Sequence, residues 1–268
     1  VNQATGRSVH LGDFGPSAEV VRLGDRRLTL DSQLRIHNSD FMNKPLTIAI
    51  DGPSGAGKGT VARAVAQRLQ YRHVDTGAMY RAVAWKALHD RVDLAHEPDV
   101  AAVAERATFD LEGGRVIIDG HDVARAIRTP QIDAAATTVA RYSAVRRTLV
   151  DRQRAMGAGG GVVMEGRDIG TVVFPAADVK VYLDASPEER ARRRASDPAH
   201  TASRVGSAVH DIATALEERD RTDRTRAASP LAIADDAVVV DTTGMSITDV
   251  VERVLEVVRS KAGGSVVR

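Results

Sequence analysis

Hydrophobic and polar positions along this chain alternate between two rhythms. A solid apolar run, Leu46-Thr47-Ile48-Ala49-Ile50, ends at Asp51 and gives way to glycine-rich sequence. Val61, Ala62, Val65, Ala66 and Leu69 then recur at helical spacing. The pattern predicts a buried strand, a loop and an amphipathic helix. Arg72-His73-Val74-Asp75 reads as a second short strand feeding a helix from Thr76 through Leu88, and Val100, Val103, Ala104 and Ala107 mark another helix. From Phe109 the period drops to two: Phe109 and Leu111 alternate, Glu112-Gly113-Gly114 turns, and Val116-Ile117-Ile118 returns, with Gly120-His121-Asp122-Val123 continuing that strand. An antiparallel hairpin within a βα chain predicts an inserted subdomain at roughly 105–130.

Helical spacing resumes from Ile132 to Met156 with a soft break near Ser143. Gly159-Gly160-Gly161 leads into the strand Val162-Val163-Met164-Glu165, and Val179 to Asp184 forms another. Ser186-Pro187-Glu188-Glu189 is a strong helix start, with proline in the first turn and acids facing the helix dipole. Val238 to Asp241 forms the last strand, and Ser246 to Asp249 caps an amphipathic helix carrying Val250, Val251, Val254, Leu255 and Val258. Five strands separated by helices predict an α/β fold with a parallel sheet wrapped by helices, ligands binding at the strands' carboxyl ends. Residues 1–41 carry a possible hairpin about Gly24-Asp25 and no chemical motif; they are expected to be a disordered or non-native extension before a domain spanning 42–268.

The loop after the first strand reads Gly52-Pro53-Ser54-Gly55-Ala56-Gly57-Lys58-Gly59-Thr60. Glycines let a loop curl its N–H groups onto phosphate oxygens, the next helix adds its N-terminal dipole, and Lys58 adds a full charge. The chain is therefore expected to bind a nucleoside triphosphate through this P-loop. The threonine stands one place later than in the common motif, a variant typical of small-molecule kinases rather than switch GTPases. Other strand ends are polar as well: Asp75-Thr76-Gly77 after the second, Gly166-Arg167-Asp168 after the Val162–Glu165 strand. They converge on one crevice, bringing Arg81, Arg167 and Asp168 within reach of a substrate beside the triphosphate. The arginine-dense stretch 217–226, with Arg192-Arg193-Arg194 upstream, suits either a solvated helix face or a lid at about 190–226 that clamps transferring phosphates and excludes water.

Composition narrows the partners. Of 268 residues 43% are hydrophobic, enough for a sizeable core, yet no apolar run reaches the roughly 18–20 residues of a membrane span, and residues 1–30 lack a signal-peptide pattern. Without cysteine, disulfides and thiolate metal sites are excluded, which fits a cytoplasmic protein. Lys+Arg of 37 against Asp+Glu of 36 leaves +1, and aromatics are 3%, so neither a basic surface nor stacking platforms favour nucleic acid. Only five basic residues are lysines, the rest arginine. That bias follows GC-rich coding, although guanidinium forks also grip phosphates bidentately.

Ile50 to Thr60, Asp75 to Arg81, Gly166 to Pro175, and Glu218-Arg219-Asp220 with Asp223 and Arg226 occur in order. Together they resemble the bacterial cytidylate kinases, from about Met42 to the last helix. The resemblance implies a P-loop core, a small antiparallel insert that binds the nucleoside monophosphate (about 76–150) and a helical lid. It implies transfer of the γ-phosphoryl of ATP to CMP or dCMP with Mg²⁺, by a monomer. Thr76, Arg81, Arg128, Arg146 and Arg167 would face the CMP side, the arginines gripping its phosphate. Thr137, Arg146 and Asp168 resemble the cytosine pocket, Arg219 and Asp223 the ribose contacts, Arg226 a phosphate contact. Lys58, Arg167, Arg219 and Arg226 would carry catalysis, and Thr60 would approach Mg²⁺, held mostly by phosphates and water. Thr76 and Thr137 stand where serines are frequent, keeping the hydroxyl. A kinase of UMP, AMP or dTMP, or a non-catalytic nucleotide-binding protein, are the alternatives; the guanine-reading Asn-Lys-x-Asp of GTPases is absent.

Overall fold

In the computed structural model, residues 45–197 and 209–263 are described, so the expected hairpin about Gly24-Asp25 lies outside them. The chain builds β1 (Thr47–Asp51), α1 (Lys58–Leu69), β2 (Arg72–Asp75), α2 (Thr76–His89) and α3 (Glu97–Arg106). Three short strands follow: β3 (Phe109–Asp110), β4 (Ile117–Ile118) and β5 (His121–Asp122). Then come α4 (Pro130–Val139), α5 (Ser143–Gly157), β6 (Val162–Glu165), β7 (Val179–Asp184), α6 (Pro187–Ser196), α7 (Val209–Thr225), β8 (Val238–Asp241) and α8 (Ile247–Gly263).

The five long strands form one parallel sheet in the order β2-β6-β1-β7-β8. Successive strand side chains face opposite ways, and both faces are apolar, as a sheet covered on both sides demands. Ile48, Ile50, Val163, Val181 and Leu183 pack against α1 and α8 through Val61, Val65, Val254 and Val258. Ala49, Val74, Val162 and Met164 face the other way, towards Val150 of α5 and Ile169. Burying each large aliphatic side chain stabilises the fold by about 1.5–3 kcal/mol. The strand order places β1 at the centre with β6 and β7 on either side. The loops leaving β1 and β6 thus open into one crevice at the sheet's carboxyl edge.

The insert departs from the expected single hairpin. Residues 120–123 do not continue β4; Asp119 (φ 48°) and Gly120 (φ 79°) make a two-residue turn, and β5 runs back antiparallel. Positive φ at both turn positions matches the twist of a tight hairpin, which Asp-Gly accommodates readily. The outcome is a three-stranded sheet, β3-β4-β5, packed on α2 through Ala78, Ala82, Ile118 and Ile127. The break near Ser143 separates two helices: the Thr129 hydroxyl accepts from the Ile132 N–H at 3.2 Å to cap α4, and Pro130 opens its first turn. As expected, the Ser186 hydroxyl accepts from the Glu189 N–H at 3.2 Å to cap α6. Helices α6 and α7 pair through Ala191, Ile212 and Leu216, a small core separate from the sheet. No described helix is long and apolar enough to cross a membrane.

Candidate active site

The P-loop wraps the carboxyl end of β1. Gly52 has φ +147°, and a Cβ there would stand 2.0 Å from the Leu183 carbonyl oxygen of β7, so no other residue fits. Gly57 adopts a left-handed φ of 87° where the loop enters α1. Lys58 is buried, and its ammonium donates to the Pro53 carbonyl at 2.7 Å across the inside of the loop. Burial above all, then repulsion from Arg167, lowers its pKa to about 7. Asp51, just before the loop, accepts from the Ile169 and Gly170 N–H groups at 2.9 and 2.7 Å. Burial nevertheless pushes its carboxyl up to about 6. The loop is also held from outside: Asp220 of α7, 1% exposed, accepts from the Ser54 N–H at 3.0 Å and pairs with Arg190 of α6. Arg190 in turn donates to the Ser54 carbonyl at 3.1 Å.

Across the crevice lies a network of paired charges. Asp75 caps α2 through the Ala78 N–H at 2.9 Å and pairs with Arg81 at the same distance. Burial raises its pKa, but Arg81 and that N–H outweigh burial and bring it below the usual carboxylate value. The Thr76 hydroxyl donates to the Glu165 carbonyl at 2.7 Å. Arg146, 3% exposed, pairs with Asp168, and its guanidinium lies 5.2 Å from the centre of the Tyr80 ring. Arg226 reaches the other Asp168 oxygen at 3.9 Å and Asp223 at 3.2 Å, while Asp223 also accepts from Arg167 Nε at 3.0 Å. Arg146, Asp168, Arg226, Asp223 and Arg167 thus alternate in sign along one wall. The Thr137 hydroxyl donates to the Asp133 carbonyl at 2.9 Å, and Arg219 lies 3.7 Å from the Asp133 carboxylate.

Between the two walls is a cavity of about 790 Å³, at a scale suited to ligands of nucleotide size. Every site residue singled out from sequence lines it except Gly52 and Pro53, which shape the loop from beneath. Arg128 lines it from the segment before α4, and Thr60 is an exposed residue of the first turn of α1. Sequence reasoning passed over several others. Glu165 ends β6 with its carboxylate accepting from His73 at 3.1 Å and 3.0 Å from where a Cβ on Gly59 would stand. Its signal was an acid at a strand end immediately before Gly-Arg-Asp. Tyr80, inside the Asp75–Arg81 motif, and the apolar Met245, Ile247 and Val250 also line the cavity. Asp133 had no signal in the sequence at all.

A P-loop on the central strand, facing an arginine-lined wall carried by an insert and a helical pair, defines a P-loop phosphotransferase acting on a phosphate-bearing small molecule. The cytidylate kinase family matches residues 48–260, and the chain belongs to that family. It is 50% identical over 227 residues to a cytidylate kinase of Pelotomaculum thermopropionicum, covering 83% of this chain and 99% of that protein. A cytidylate kinase of Solibacter usitatus is 46% identical over 223 residues, 83% of this chain and 96% of its own length. A bifunctional pantoate ligase/cytidylate kinase of Prochlorococcus marinus is 45% identical over 251 residues, 90% of this chain but 49% of that protein.

Proposed function

We infer that this chain is an ATP-dependent (d)CMP kinase, transferring the γ-phosphoryl group of ATP to CMP or dCMP to give ADP and CDP or dCDP. One observation carries the reading within the family: the P-loop faces the buried Arg146–Asp168 pair across a single cleft. An oxygen of the acceptor phosphate attacks the γ-phosphorus in line, and the bond to the β,γ-bridging oxygen breaks, its electron pair leaving with ADP. The acceptor phosphate is already a dianion near neutral pH, so no general base is required. The protein's task is positioning and charge neutralisation.

Lys58 and the loop N–H groups hold the β- and γ-phosphates, the ammonium exchanging the Pro53 carbonyl for phosphate oxygens. Arg167, Arg219 and Arg226 neutralise the group in transfer, and Arg81 and Arg128 grip the acceptor phosphate. Asp168 accepts from the cytosine N4 amine, while Thr137 and Arg146 donate to N3 and O2. Arg219 and Asp223 hold the ribose. The exposed Thr60 hydroxyl and the Glu165 carboxylate beside Gly59 fit an Mg²⁺ ion that takes its other ligands from phosphates and water. When bound, that ion neutralises charge on the β- and γ-phosphates. Met245, Ile247 and Val250 give the donor end an apolar wall for the adenine ring. A monomer working in the cytoplasm completes this reading.

The test is an acceptor screen with ATP and Mg²⁺ over CMP, dCMP, UMP, AMP, GMP and dTMP. CMP and dCMP are expected to have the highest kcat/KM; a preference for any other acceptor overturns the assignment.

A further inference from the structure

Asp133 sits on α4 of the insert, four residues before Thr137, and is 9% exposed. One carboxylate oxygen accepts from Arg194 Nη2, in the last turn of α6, at 2.5 Å. The other lies 3.7 Å from Arg219 Nη1 on α7. A single carboxylate therefore joins the acceptor-side insert to both helices of the α6–α7 pair. Both arginines line the cavity, and Arg219 is among the residues assigned above to substrate. Two guanidinium groups brought together over a cleft already holding Arg167 and Arg81 repel one another. Arg219 reflects this, pushed below its usual value by burial first and by Arg167 next. A carboxylate between them offsets that repulsion at short range, where burial weakens solvent screening.

We propose that Asp133 is a positioning residue that docks Arg194 and Arg219 onto the insert, holding the α6–α7 pair over the cleft before the nucleotides arrive. It touches neither substrate; it acts through the two arginines. A cleft whose arginines are already in place binds substrate without first gathering them, so affinity rises by the fraction of molecules held ready. Once both nucleotides are bound, their phosphates supply the negative charge that Asp133 supplied. Loss of the carboxylate therefore weakens binding and spares turnover at saturation. A residue that merely supported α4 would lower both parameters together or only the melting temperature.

The proposal rests on the (d)CMP kinase reading, and the wild-type enzyme tests that reading independently: a chain inert towards CMP fails there, before any variant is made. In an active enzyme, Asp133→Asn is expected to raise KM for CMP and the Kd of a bisubstrate analogue roughly tenfold, with kcat within about twofold of wild type. Introducing Asp133→Asn into an Arg194→Gln background is expected to add less than its roughly tenfold effect in the wild type, because only the Arg219 contact remains to be lost. Unchanged KM and Kd overturn the proposal, as does an equal loss in kcat. Full additivity with Arg194→Gln, at unchanged melting temperature, assigns Asp133 to another contact and overturns it too.

Discussion

The two walls of the cleft are built on different physical principles. The donor wall is a contiguous stretch, Gly52 to Thr60, whose geometry is set by backbone torsions and which carries one lysine. The opposite wall is assembled from α2, α4, α5, the loop after β6, and α7, and is held by alternating guanidinium and carboxylate groups. Protonation follows the same division. Lys58 falls to about 7 and Asp51 rises to about 6, so the donor wall is poised to titrate near neutrality. On the other wall burial pushes Arg146 and Arg167 down, but Tyr80 with Asp168, and Asp223 with Asp220, hold both above their usual values. Burial likewise raises Asp223, and Arg167 and Arg226 bring it below the usual range. A buried charge met only by neutral groups moves its proton to escape burial; one paired with an opposite charge can keep it and hold a neighbour in place.

The largest effect should come from the donor wall's one ammonium. Lys58→Met keeps most of the aliphatic stem and removes the charge, so kcat is expected to fall on the order of 10²–10³-fold. Circular dichroism and the melting temperature should show the fold retained, since the loop is shaped by torsions and by Asp220 rather than by this side chain. Wild-type turnover in the folded variant would remove Lys58 from the transfer step.

On the paired wall a single change should spread. Asp168→Asn takes the charge from the partner of Arg146 and replaces a pure acceptor with a group that also donates. The kcat/KM for CMP is expected to fall by about 10–10²-fold, a loss of about 1–3 kcal/mol for a buried hydrogen-bonded group. The CMP/UMP ratio should narrow, because an amide can serve the uracil carbonyl as well as the cytosine amine. Steady-state kinetics with both acceptors decides it: an unchanged ratio would leave Asp168 a partner of Arg146 and Arg226, with base choice made elsewhere.

The gentlest test compares the two walls by proton uptake. In the free protein Lys58 is mostly neutral above its pKa of about 7; bound triphosphate favours the ammonium and raises that pKa. The ligand-bound state then holds more protons, so ATP binding near pH 8 should take up close to one proton, and affinity should weaken by up to about tenfold per unit as pH rises above 7. Binding of CMP at the same pH should take up almost none, since Arg146 and Arg167 are held above their usual values and Asp223 below its own. Calorimetry in buffers of different ionisation enthalpy measures both. Equal uptake for the two ligands would erase the distinction between the walls.

Much of this was readable beforehand where chemistry and sequence neighbourhood coincide. The P-loop, the β1–α1 unit and the strand ends at Asp75 and Arg167-Asp168 stand in the structure where periodicity and turn residues put them. The hairpin at β4–β5 was misread because Asp119-Gly120, a pair that takes positive φ readily, was read as part of a continuing strand rather than as a two-residue turn. Glu165 was legible as an acid at a strand end, although it went unnoticed.

What the sequence determined by itself is the donor wall and the parallel sheet beneath it, because glycine torsions, helix spacing and buried alternation are local properties. Tertiary structure alone decided the other wall. Asp133 meets Arg194 and Arg219, and Asp223 meets Arg167, across separations of 61, 86 and 56 residues. Charge attraction specifies no partner by sequence distance; in an arginine-rich chain each carboxylate could pair with many guanidinium groups. The choice is made by which helices pack together, and so by the apolar surfaces of α2, α6 and α7 rather than by the charges they carry.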